Sequence, residues 1–143
     1  MATSTDAMIL AALIERLETL VFAPPLPIAY PGIDFPLAGE MKSKPYVALA
    51  FLPNQTRQIT IGDDPQQKRG IFQATVVWAR GQGLVKPLDA AGRIIGHFNN
   101  QVLWAGDVRV TIAAEPWAAA PLQDDDRVRV PVTIPYFALE PEV

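Results

Sequence analysis

A chain of 143 residues, half of them hydrophobic, has the length of a single domain and enough apolar material to bury a core. Twelve Lys and Arg against fifteen Asp and Glu give a net charge of −3, without the basic excess that binding to nucleic acid phosphates draws on. Cysteine is absent, which excludes disulfides, thiolate metal sites and cysteine nucleophiles. No run approaches the ~18 apolar residues of a membrane span and no basic stretch opens the chain, so a soluble protein retained where it is made is expected. The fourteen prolines are about twice the usual ~5% share and predict many short elements joined by fixed turns.

The first predicted element is an amphipathic helix over residues 5–21. At ~100° per residue, Ile9, Leu10, Leu13, Ile14, Leu17, Leu20 and Val21 fall on one arc, with Glu15, Arg16, Glu18 and Thr19 outside it. Thr3, Ser4 and Thr5 offer hydroxyls to the free N–H groups of its first turn. Pro24, Pro25 and Pro27 then force the chain out in an extended conformation. Residues 24–45 read as a long connector with a short strand at Ile28–Tyr30 and a turn at Pro31-Gly32. Tyr46–Leu52 is apolar on both alternating faces, as in a strand covered on both sides. Arg57–Ile61 alternates Ile59 and Ile61 with Gln58 and Thr60, the pattern of a half-exposed strand.

Residues 62–69, Gly-Asp-Asp-Pro-Gln-Gln-Lys-Arg, contain no apolar anchor and are expected to form a mobile loop. Strand character resumes over Gly70–Arg80. Pro87 suits the first turn of a second helix, in which Leu88, Ala91, Ile95, Phe98 and Val102 form the buried stripe and which continues to about Leu103. Gly92 and Gly96 would permit close approach of a neighbouring backbone. Two strands close the chain, Val108–Ile112 and Arg127–Pro135. Pro131 and Pro135 lie an even number of residues apart, so both remove donors from the same side, and the last strand is expected at a sheet edge. The order of elements predicts an α+β domain with a mainly antiparallel sheet flanked by an N-terminal helix and a second helix, occupying residues 1–143 as one unit.

Catalytic chemistry is hard to assemble from these residues. The lone histidine, His97, lies off the apolar stripe of the second helix and reads as a surface residue. The two serines, Ser4 and Ser43, sit outside any nucleophile elbow. Gly81-Gln82-Gly83 lacks the third glycine of a phosphate-cradling motif. Asp124, Asp125 and Asp126, like Asp63 and Asp64, could attract a hard cation but lack the ligand alternation of a calcium loop, and turns are the favoured reading. Trp78, Trp104 and Trp117 adjoin apolar elements, as expected for core or interface packing. No catalytic residue, metal ligand or cofactor is therefore expected.

Laid end to end, these segments resemble the small tail terminator proteins of long-tailed bacteriophages. The resemblance is carried by the N-terminal helix, Pro-Leu-Pro-Ile-Ala-Tyr-Pro-Gly (25–32) with Ile-Asp-Phe-Pro (33–36), Pro-Tyr-Val-Ala-Leu-Ala-Phe-Leu-Pro (45–53) and the block from Ile59 to Gly83. Within that block a strand ends in Ile-Gly, a polar loop follows, and Arg-Gly opens the next strand. The tryptophan often found near the first turn of such proteins is Tyr30 here. The resemblance implies a homohexameric ring on the head-proximal end of the tail tube, with the tail tube protein and a head–tail connector as partners, in the virion, and with neither cofactor nor membrane contact. It suggests Asp63, Asp64, Lys68 and Arg69 as intersubunit contacts. The alternatives are another ring protein of the neck and a small-molecule binding domain with a pocket under the first helix.

Overall fold

The computed structural model describes residues 4–22, 26–32, 45–53, 57–58, 66–81, 83–123 and 127–139. Helix α1 spans Thr5–Glu18. The Ser4 hydroxyl caps it by accepting the Ala7 N–H at 3.3 Å, Asp6 lies in its positive first turn, and Ile9, Leu13 and Leu17 form its buried face. It stops three residues before the periodicity predicts, because the Thr19 hydroxyl and N–H both turn back to the Arg16 carbonyl, at 2.6 and 3.2 Å. Val21, expected on the buried arc, is consequently exposed.

Helix α2 spans Val85–Phe98 and buries Pro87, Ala90, Ala91, Ile94 and Phe98. This face is turned by about one residue from the expected stripe, leaving Leu88 exposed. The helix also ends earlier than expected. Asn99 is extended, with φ −62° and ψ 131°, and Asn100 adopts φ 59°, a region asparagine enters more readily than most residues. Val102 and Leu103, read from sequence as helical, instead open strand β5 below. Gly92 and Gly96 face open space, so the helix approaches no neighbouring backbone there.

The strands are β1 (Ile28–Ala29), β2 (Tyr46–Pro53), β3 (Arg57–Gln58), β4 (Gln66–Ala79), β5 (Val102–Ala105), β6 (Val108–Ile112), β7 (Trp117–Ala118), β8 (Leu122–Gln123) and β9 (Arg127–Leu139). They form one curled sheet with the main order β1-β2-β4-β9-β6-β5, and β3 also pairs with β4. Among the described residues only the β1–β2 pairing is parallel. The fold is thus α+β with a mainly antiparallel sheet. Gly106, at φ 64°, and Asp107 make a two-residue hairpin between β5 and β6, with glycine at the position that requires positive φ.

Strand β9 lies inside the sheet, contrary to the edge expected from its prolines. One side pairs with β4 over its whole length, from Arg127↔Ala79 to Leu139↔Gln67. The other side pairs with three separate pieces, β6 opposite Tyr136–Leu139, β7 opposite Val132 and Thr133, and β8 opposite Val128 and Arg129. Pro131 and Pro135 have no N–H to give on that second side, yet their carbonyls accept from Ala119 and Ala113 at 2.8 and 2.9 Å. The prolines therefore cut the neighbouring strand into segments instead of removing it.

Both helices pack on one face of the sheet. That face carries Val47 and Leu49 of β2, Phe72, Ala74, Val76 and Trp78 of β4, Val108, Val110 and Ile112 of β6, and alternate residues of β9 from Val128 to Ala138, in one cluster with the helix residues. At its β4–β9 end Tyr136 stacks on Phe51, with ring centroids 5.7 Å apart and planes at 11°, and crosses over Gly70. A Cβ at Gly70 would lie 2.6 Å from the Leu52 carbonyl oxygen, 2.8 Å from the Pro53 Cα and 2.7 Å from the Tyr136 hydroxyl. That hydroxyl is buried without a hydrogen-bond partner among the described residues. Burial, with the Asp6 charge adding to it, pushes its pKa up to about 12.

Replacing Gly70 with Ala is expected to destabilise the protein by about 1–3 kcal/mol, the usual cost of overpacking, as measured by urea unfolding. Tyr136→Phe should be neutral or stabilising, because it removes an unpaired buried hydroxyl. In the double variant only part of the Gly70→Ala loss should be recovered, since two of the three close contacts are to backbone.

Candidate assembly surface

Among the described residues no helix lies on the opposite face of the sheet. The pairing registers place on it Leu52, Arg69, Thr75, Val102, Trp104, Arg109, Trp117, Leu122, Pro131, Pro135 and Phe137, because side chains alternate across a pleated strand. Five of these are large apolar residues that remain exposed: Leu52, Val102, Trp104, Trp117 and Leu122, with Trp104 at 64% and Trp117 at 51%. Scattered exposed apolar residues are ordinary, whereas several on one face mark an interaction surface. Of the three tryptophans, Trp78 alone is buried in the core. The other end of the same face is closed, with Tyr46 and Val77 buried and the Arg127 guanidinium 5.6 Å above the Tyr46 ring.

Of the residues singled out from sequence as contacts, Lys68 and Arg69 are among the described residues. Asp63 and Asp64 lie outside the described residues, as do 62–65 in general and the Asp124–Asp126 run. Lys68 and Arg69 belong to β4, so this half of the expected mobile loop is strand, paired with β9 at Ala138 and Phe137. Sequence reading missed this because the outer face of a strand needs no apolar residue. Lys68 points to the helix side, where its Nζ lies 3.9 Å from Asp6 Oδ1. It is an intrasubunit partner of the α1 N-terminus. Arg69 is exposed on the helix-free side.

His97 is half-buried and not a free surface side chain. Its Nε2 lies 2.9 Å from the Arg16 carbonyl and 2.7 Å from Thr19 Oγ1. In return, Arg16 donates from Nε and Nη2 to the His97 carbonyl at 3.1 and 2.7 Å. A cation at the negative end of α2 is favourably placed. The two helix C-termini are thereby clasped together. Nearby, the Tyr30 hydroxyl donates to Glu18 Oε2 at 2.7 Å, tying the turn after β1 to α1.

A cleft of about 270 Å³ lies between α2 and the chain leaving α1, lined by Phe22, Leu26, Trp78, Lys86, Asp89, Ala90 and Arg93. Its Asp89 and Arg93 pair with each other at 3.2 Å, one helical turn apart. It holds no nucleophile and no convergent set of unpaired polar groups of the kind a ligand site uses. Among the described residues no group of three or more His, Cys, Asp or Glu side chains could hold a metal ion, and no helix is long and apolar enough to cross a membrane.

A family model described as phage tail terminator protein matches residues 8–136. The chain belongs to the phage tail terminator family. Its setting is accordingly the phage tail, and its role there is structural. The match begins inside α1 and ends inside β9, so it takes in α2, β1 to β8 and most of α1 and β9. A search of curated proteins finds no match. One solved structure is 23% identical over 99% of each chain, with a TM-score of 0.78, and this likeness shows the fold alone.

The burial of His97 makes stability depend on pH. It lowers the pKa below the ordinary imidazole value, opposed by the bond to the Arg16 carbonyl and reinforced by the Arg16 charge. A histidine depressed in the folded state contributes stability that is complete above its unfolded value of ~6.5 and is lost as pH falls through that value towards the folded one. Between pH 7.5 and 5.5, the melting temperature of the wild type should therefore fall more than that of His97→Ala. Parallel curves would remove the burial of His97 as the cause.

Proposed function

We propose that six copies of the chain form a ring on the head-proximal end of the tail tube, that the ring stops tube growth and presents the surface to which the head connector joins, and that no covalent chemistry is involved. The observation that carries this reading is the helix-free sheet face with its exposed Leu52, Val102, Trp104, Trp117 and Leu122. Family membership supplies the setting. A contact between two different patches, repeated by rotation, closes into a ring when the angle permits, and such a subunit must keep interaction surface uncovered until its neighbours arrive. The polar groups that could have served catalysis are instead engaged within the subunit: His97, Arg16 and Thr19 in the clasp, and Lys68 on Asp6.

A phage lacking this protein should accumulate tubes of uncontrolled length that never join heads, while heads continue to package DNA, as read by electron microscopy of lysates. Tails of normal length together with heads that leak DNA would instead assign the chain to the neck.

A further inference from the structure

Among the described residues the sheet ends at β5, and the hydrogen bonds fix which of its backbone groups turn outward. Ile112 donates to the Gln101 carbonyl at 3.1 Å, and the register continues Leu103↔Val110 and Ala105↔Val108. In an antiparallel pair, bonded residues alternate, so Leu103 and Ala105 turn their N–H and C=O groups to β6. Val102 and Trp104 turn theirs outward. These outward groups border a groove of about 290 Å³ whose other wall is the face of α1 bearing Ala12, Glu15, Arg16 and Thr19.

An edge strand beside a helix, with a gap between them, is the geometry in which an extended segment adds to a sheet. Natural edges are usually blocked by proline, lysine or a bulge. Val-Leu-Trp-Ala has none of these, and its Val102 and Trp104 side chains are exposed. The other edge, β1, is only two residues long; the Pro27 carbonyl accepts from the Val47 N–H at 2.9 Å, so Pro27 turns to β2 and Ile28 turns its backbone groups outward.

We infer that β5 receives an extended edge of a second copy of this chain, with the β1 segment as donor, so that the sheet continues from one subunit into the next. This rests on the ring reading above and names the contact that would build it. Area decides for a folded copy over a short peptide. A stable contact buries about 800 Å² per partner, and two contacts per subunit would take about a fifth of the 8408 Å² surface. A strand pairing with two outward residues does not reach that alone, so the occupant must also cover Trp104 and Val102 on the helix-free face. Edges β5 and β1 are not equivalent, so their pairing is head-to-tail and repeats around a ring, whereas β5 against β5 would stop at a two-fold dimer.

The test uses the position of the outward groups. Trp104→Pro removes an N–H that β6 does not use, so folding should survive, as judged by circular dichroism and melting. Trp104→Lys keeps the backbone intact and adds a charge, and serves should the proline variant misfold. Each variant and the wild type are mixed with purified tail tubes, and capping is counted by electron microscopy. Amide hydrogen exchange at residues 102 and 104 is compared between free and tube-bound chain. Capping by either folded variant about tenfold weaker than wild type, the loss typical of a central tryptophan, with both amides protected only in the bound wild type, is the expected result. Equal capping by the variants, unchanged exchange at 102 and 104, or a two-fold dimer holding these amides would overturn the edge contact while leaving the ring intact. Failure of the wild type itself to cap tubes would overturn the ring reading, and this one with it.

Discussion

The antiparallel pairing of β4 with β9 is the constraint on which the rest of the molecule depends. It runs without a break from Arg127↔Ala79 to Leu139↔Gln67, and every other strand except β1 and β5 is bonded directly to one of these two. Val76 and Val130, Ala74 and Val132, and Phe72 and Ile134 face each other across it, and all are buried against the helices. Such cross-strand pairs are the unit in which a sheet is stabilised. They also fix register, because a slip of one residue would turn this whole set to the other face. Gly70 belongs to the same constraint, since the ladder puts it directly opposite Tyr136 in a space that admits no Cβ.

The prolines of β9 acquire their meaning from this ladder. An N–H missing from the β4 side would have broken the central pairing, and both prolines lie on the other side, where only short neighbours are required. Segmentation there breaks the chain after β6 into β7 and β8, joined by Ala- and Pro-containing links. It also brings Trp117 and Leu122 to the helix-free face opposite Thr133 and Arg129. The same residues thus serve a folding constraint and shape an exposed surface.

Elements with strong periodicity or a stop signal were legible in the sequence. The first helix, the strands around Val47, Val76, Val110 and Val130, the Pro31-Gly32 turn and the α+β class all follow from spacing and turn chemistry. What was not legible depended on partners distant in the chain. The β9 prolines read as an edge because a sequence cannot state that the neighbouring strand arrives in pieces. The β5 strand was hidden because Val102 extends the helical spacing of Leu88, Ala91, Ile95 and Phe98, while the decisive break is the backbone at Asn99 and Asn100. Lys68 and Arg69 looked unanchored because they are held by ladder bonds, which leave no trace in side-chain polarity. The likeness to tail terminators was legible from the succession of segments, and the family match agrees with it. The exposed sheet face was not, since exposure of Trp104 and Trp117 depends on which side of the sheet the helices choose.

That choice decides where polar groups can fix one element against another. Among the described residues they do so at the seam between the helices and at the sheet margin. Here the seam is filled by Arg16, Thr19 and His97 satisfying helix-end carbonyls, and the margin by Lys68 on Asp6 and Tyr30 on Glu18. Each is used to fix one element against another. On the face away from the helices Arg69, Thr75 and Arg109 stand among exposed apolar side chains, and exposed apolar area lowers free energy only by being covered. In the ring proposed above, covering Trp104 and Trp117 is the stabilisation that association would add to that of the folded subunit.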